Sequence, residues 1–263
     1  MGVGYHVCFR SRCESVLAPT VGARRAFAAV MKRAGKDRGL YGFGLSGRHG
    51  HGVLHGADAP VSTFLRAASA SLARVLGLEI EGRVLKQIHN GWHAEDLVAY
   101  MHGQDLHHGT GVDPLREATS LPDLFGLRPD GLWLAERLRE VAPSITRSQL
   151  LRQWGLDDLG EREGLEHLAD AAAAAIGSSD LAGRTAPVVA VRAAAVAAAG
   201  SGASNEQLAA ELGVAERTVL RLRTTGTEPA LVRAVRRQLD LRARVPVRAL
   251  PYDEDPTRPK RRR

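Results

Sequence analysis

Two short motifs, well separated along the chain, carry residue types that together could cut a phosphodiester. Arg48-His49-Gly50-His51 follows the alternating run Leu40-Tyr41-Gly42-Phe43-Gly44-Leu45. In an extended strand residues i and i+2 share a face, so His49 and His51 can offer two imidazoles to one metal ion. The second motif is Leu97-Val98-Ala99-Tyr100-Met101-His102-Gly103-Gln104. On a helix residues i and i+4 share a face, so Tyr100 and Gln104 project together. Two histidines, a phenol and a side-chain carbonyl make a site for metal-assisted attack on a phosphodiester. His89 and His93 form a competing metal pair, with Gly91 between them pointing to a loop.

The elements that must position these residues read as mixed α and β. Gly4 to Arg10 is a strand with Tyr5, Val7 and Phe9 on one face, and Val21 to Ala34 a helix with an apolar stripe of Phe27, Val30 and Met31. Leu40 to Leu54 reads as one or two strands interrupted at Ser46-Gly47-Arg48. Val61 to Leu76 reads as a helix opened by Pro60 and capped by Ser62. Arg83 to Ile88 alternates as a further strand, and Ala94 to Gln104 is helical. This order describes an α+β sandwich rather than a parallel doubly wound sheet.

The net charge of +7 is spread unevenly: residues 1–115 carry 13 basic and 9 acidic groups, 116–183 carry 7 and 12, and 184–263 carry 16 and 8. Two basic lobes flanking an acidic middle suit a polyanion such as nucleic acid, because each neutralised phosphate releases counterions. No apolar run reaches membrane-spanning length, no secretory signal is visible, and Cys8 and Cys13 make no disulfide scaffold. The expectation is a cytoplasmic protein. The acidic middle reads as helical at Leu132 to Val141, Ser148 to Trp154 and Glu163 to Ala175, a linker or packing layer without a catalytic constellation.

The third lobe reads as all helical. Asn205 to Leu212, a turn at Gly213-Val214-Ala215, and Glu216 to Arg223 have the spacing of a helix-turn-helix, preceded by Val188 to Ala199 and followed by Pro229 to Leu241. Ala209 permits close approach, Gly213 takes the positive-φ turn, and Leu208, Leu212, Val214 and Val219 supply a core. Arg217, Thr218, Arg221 and Arg223 are the expected duplex contacts. Pro256 to Arg263, ending in Lys260-Arg261-Arg262-Arg263, is an expected disordered tail adding non-specific phosphate affinity.

Taken in order, Gly4-Tyr5-His6-Val7-Cys8-Phe9-Arg10, Leu40 to Leu45 running into His49-Gly50-His51, Val84-Leu85-Lys86-Gln87-Ile88, and Asp96-Leu97-Val98-Ala99-Tyr100-Met101 resemble the HUH-type single-tyrosine transposases, in particular their REP-associated branch. The resemblance spans residues 4–108. It implies an antiparallel-sheet, ferredoxin-like domain over residues 1–115, then a helical region at 116–183, a helix-turn-helix domain at 184–250, and a tail at 251–263. It implies Tyr100 as the nucleophile forming a 5′-phosphotyrosine, and His49, His51 and Gln104 as ligands of Mg²⁺ or Mn²⁺. Arg10 and Lys86 are then the strand residues that hold the DNA backbone, single-stranded or hairpin at the first lobe and duplex at the third. A monomer and a homodimer are both compatible with the family. In this sequence Gly50 stands where the family usually has a bulky residue, predicting a gap in the core, and Arg48 stands where an Asn is common. Two other readings of the same residues are a DNA-binding protein that kept the fold and lost the nuclease, and a metal-responsive transcription regulator.

Overall fold

Alternation along the first strand sets the layering of the molecule. The computed structural model describes residues 4–13, 15–108 and 113–245, with side chains 104–108 outside the description. Strand β1 (Gly4–Ser11) leads to helix α1 (Val21–Gly35), the hairpin β2 (Leu40–Ser46) and β3 (His49–His55), helix α2 (Asp58–Leu76) and strand β4 (Ile80–Ile88). The sheet order is β2-β3-β1-β4, with neighbouring strands antiparallel. The two helical connections therefore interleave in the split βαβ manner.

On one face, Val7, Phe9, Phe43 and Leu54 pack against Phe27 and Met31 of α1 and Phe64 and Leu72 of α2. On the other, Tyr41, Val53 and Ile88 pack against Ala94, Val98 and Met101 of α3 (Gly91–His108) and Leu138 of α5 (Leu132–Val141), which follows the short α4 (Leu121–Leu124). A sheet buried on two sides explains why β2 is buried along its whole length. The hairpin closes through Gly47-Arg48, with Gly47 at φ 49° supplying the positive φ that a two-residue loop requires at its first position.

Three sequence expectations are revised. Helix α2 starts at Asp58 rather than Val61, with Ala57 at its N-cap, so Ser62 is no cap. Gly91 opens α3 instead of lying in a loop, because Asn90 Oδ1 accepts the His93 amide at 2.9 Å and so caps the helix. The helix expected from Glu163 is shortened to α7 (Leu168–Ala175), since Gly164 and His167 adopt φ 155° and 63°, which a helix cannot contain.

The acidic middle is stitched into both basic lobes by buried charge. Glu117 accepts from Arg25 of α1 at 2.8 Å and from Arg242 of α11 (Pro229–Arg244) at 2.9 Å. Both arginines also pair with Asp170 of α7. Burial opposes charge on Asp170, but the pull of Arg242 and Arg25 outweighs it and holds the carboxyl below its ordinary value. Nearby, Lys32 and Arg128 share the fully buried Asp123. Three acidic groups of this segment, Glu117, Asp123 and Asp170, thus neutralise interior arginines.

A second core joins α7 with α8 (Ala186–Ala198), α9 (Asn205–Leu212), α10 (Glu216–Thr224) and α11. Helix α9 starts in a capping box between Ser204 and Gln207 and ends at Gly213, φ 62°. No helix among the described residues is long and apolar enough to cross a membrane, and Cys8 and Cys13 are free thiols.

Candidate active site

Strand pairing brings the histidines of β1 and β3 onto one face. His51 lies opposite Cys8, His49 opposite Arg10, and His6 opposite Val53 on β3 and Lys86 on β4. His6 is therefore the diagonal neighbour of His51, and its Nε2 lies 3.0 Å from His51 Nδ1 in a buried contact. Burial, with the nearby His93 and Lys86, lowers the His6 pKa to about 4, so its imidazole is neutral near pH 7. The contact fixes the His51 ring, and in the tautomer pair where His51 Nδ1–H donates to His6 Nε2 the His51 Nε2 is the bare nitrogen a metal would need. His6 was not singled out from sequence. The signal was present, since the alternation that puts Tyr5, Val7 and Phe9 in the core must turn His6, Cys8 and Arg10 to the opposite face.

Helix α3 delivers Tyr100 to this face. The His51 and Tyr100 rings meet edge-to-face with centroids 6.3 Å apart, and the His49 and His51 rings are separated by the same 6.3 Å. The seat for α3 is made by glycines. A Cβ on Gly44 would come within 2.8 Å of the Met101 carbonyl oxygen, and one on Gly42 within 3.1 Å of the Met101 methyl. At Gly44 the neighbour is helix backbone, so only a residue without Cβ lets α3 lie this close to β2, and Gly42 adds room for the Met101 side chain. The alternate glycines of Leu40-Tyr41-Gly42-Phe43-Gly44-Leu45 thus fix the height of Tyr100 over His51.

Gly50 leaves no gap. The Phe27 ring of α1 occupies the space under it, with ring atoms 2.7 and 2.9 Å from where a Cβ would stand. The volume missing from the strand is supplied by the facing helix, which local pattern could not reveal.

His49 opens onto a cleft of about 540 Å³ lined by Arg10, Ser11, Arg12, Arg48, His49 and Glu81. Three arginines beside a histidine suit a phosphodiester backbone. Arg10 lines this cleft together with Arg48 and Arg12. Lys86 stands exposed on the neighbouring strand. The His89 and His93 rings stack at 6.2 Å at the start of α3.

Two imidazoles on one strand face, one of them oriented by His6, fit as a half-site for a divalent cation needing further oxygen donors. Among the described residues no group of three or more His, Cys, Asp or Glu is placed to hold a metal. Gln104 lies on α3 one turn beyond Tyr100, but its side chain lies outside the description. In the C-terminal lobe, Arg217 and Arg221 are exposed on α10 and Thr218 is half-buried. Arg223 is engaged within the lobe, donating to Asn205 Oδ1 at 2.8 Å and Ala203 O at 2.6 Å, and so braces α10 against the start of α9. The expected tail at 251–263 lies outside the described residues. No family model matches the chain, and no match is found among the curated proteins or the solved structures.

Proposed function

We propose that the chain nicks and rejoins single-stranded or hairpin DNA through a covalent link to Tyr100, as an HUH-type, ferredoxin-like enzyme of the single-tyrosine transposase kind. The observation that carries this reading is the placement of Tyr100 against His51 in one site, built from two motifs far apart in sequence. In the proposed step, Tyr100 Oη bonds to phosphorus and the P–O3′ bond breaks. The phenol loses its proton and the departing 3′-oxygen gains one, leaving a 5′-phosphotyrosine and a free 3′-hydroxyl. The linkage keeps the phosphodiester energy, so a 3′-hydroxyl can reverse it on a new end. His49 and His51, with Gln104, would hold Mg²⁺ or Mn²⁺, which when bound supplies neutralisation of the charge building on the phosphate oxygens.

This chain's own residues do the rest. His6 holds the His51 ring, Gly42 and Gly44 set the approach of α3, and Arg10, Arg12 and Arg48 position the strand. In the third lobe α9 and α10 act as a helix-turn-helix, with Arg217, Thr218 and Arg221 toward duplex DNA and Arg223 bracing the pair.

The test is incubation with labelled hairpin DNA and Mn²⁺, followed by a denaturing gel. An adduct present in the wild type and lost in Tyr100→Phe and His49→Ala supports the reading. Sequence-specific DNA binding with no adduct across a broad substrate library replaces it with a binding protein that has lost the nuclease. Metal-dependent duplex affinity without cleavage replaces it with a metal-responsive regulator.

A further inference from the structure

We infer that the cleft between α3 and the segment of α6 (Arg147–Leu151) takes one unstacked nucleobase of the single strand that Tyr100 acts on. This inference rests on the nuclease reading for its biological ligand, but not for the cleft's chemistry.

The cavity measures about 370 Å³, at the small end of ligand pockets, room for a single ring system rather than a folded oligonucleotide. Val98 and Leu150 line it with apolar surface. Trp92 stands at its edge 78% exposed, an indole face left in water. Aromatic faces in such positions are the platforms on which bases of single strands stack, because every base has a π-face. Among the described residues, Glu95 and Asp96 line the cleft against the single cation Arg152, a net negative charge that disfavours a phosphate, while Gln149 and Gln153 offer the amide donors and acceptors that suit a base edge.

His102 gives the cleft a hydrogen-bonding requirement. It is 1% exposed, and its Nε2 lies 3.0 Å from Ser120 Oγ. The Ser120 hydroxyl also lies 3.2 Å from Phe43 O and can donate either to that carbonyl or to Nε2, so both His102 tautomers are compatible with the contact. In either tautomer Nδ1 is buried and has no hydrogen-bond partner among the described residues. An unmet buried ring nitrogen is costly, and the edge of a nucleobase, which carries N–H donors beside carbonyl and ring-nitrogen acceptors, would satisfy Nδ1 in either tautomer. Position completes the case. Ala99 lines the cleft while its neighbour Tyr100 meets His51, so the cleft and the Tyr100 site lie on adjoining faces of α3.

The experiment follows the Trp92 indole N–H resonance, identified by its loss in Trp92→Phe, during titration of the full chain with adenosine, cytidine, guanosine and thymidine, with ribose as the control. A saturable shift with at least one nucleoside, absent with ribose and abolished by the cavity-filling Ala99→Leu, is the expected result. No shift with any nucleoside, or a shift that Ala99→Leu leaves intact, overturns the inference. In the adduct assay Trp92→Ala should lower hairpin adduct yield by about tenfold. Nucleoside binding without any Tyr100 adduct sustains the pocket and removes the nuclease, whereas an adduct with no nucleoside shift removes the pocket alone.

Discussion

Gly44→Ala tests the placement of α3 more sharply than any change to a catalytic group. The added methyl would lie 2.8 Å from the Met101 carbonyl oxygen and 3.5 Å from its Cβ. Its close neighbour is helix backbone rather than the end of a flexible side chain, so α3 or β2 must move as a unit. Overpacking of this kind costs about 1–3 kcal/mol. For a chain of this size that corresponds to a fall in Tm of roughly 2–10 °C. The functional effect should exceed the loss of stability, because Tyr100 precedes Met101 on the displaced helix, and a misplacement of ~1 Å can cost about 100-fold in rate. Thermal unfolding and the hairpin adduct assay, run at a temperature where both proteins are folded, read the two effects separately. A Tm within about 1 °C of wild type, a shift well under the expected 1 kcal/mol, together with unchanged adduct yield would refute the glycine seat.

Gly103→Ala, on the same helix, should do the reverse: among the described residues no atom lies within 4 Å of its added Cβ, and a helix-interior Gly costs about 0.5–1 kcal/mol relative to Ala, so Tm should rise. Arg25→Ala leaves Glu117 buried with one arginine fewer, and denaturant unfolding should show a loss of about 3–5 kcal/mol. His102, whose burial, reinforced by Arg116, lowers its pKa to about 3, is neutral when folded but titrates near 6.5 when unfolded. The unfolded state therefore binds the extra proton on acidification. Its contribution is complete above pH ~6.5 and drains away as pH falls from there toward ~3. Urea unfolding from pH 7.5 down to 4.5 should show that decline, and His102→Phe should make it shallower, with His6, lowered to about 4, supplying the part that remains.

Local periodicity was enough to place the strands and most of the helices. Alternation in Gly4 to Arg10 assigned Val7 and Phe9 to the core, and the two-residue spacing put His49 and His51 on one face, because side-chain direction within a strand depends only on the backbone repeat. Caps were less legible: Ser62 looked like a helix start and Asn90 did not, since a cap is defined by which backbone amide its oxygen reaches. The glycines at 42 and 44 were visible as a pattern, but not as the seat of α3.

What the sequence by itself determined was the alternation of elements, the facing of His49 with His51, and the helix that presents Tyr100. Only the tertiary structure decided that His6 holds the His51 ring, that Phe27 fills the space beneath Gly50, and that Arg25 and Arg242, from opposite ends of the chain, share Glu117. Each of these depends on strand order and on which helix covers which face. Such choices are made by the burial of whole surfaces and the pairing of interior charges, and no short window of sequence contains both partners.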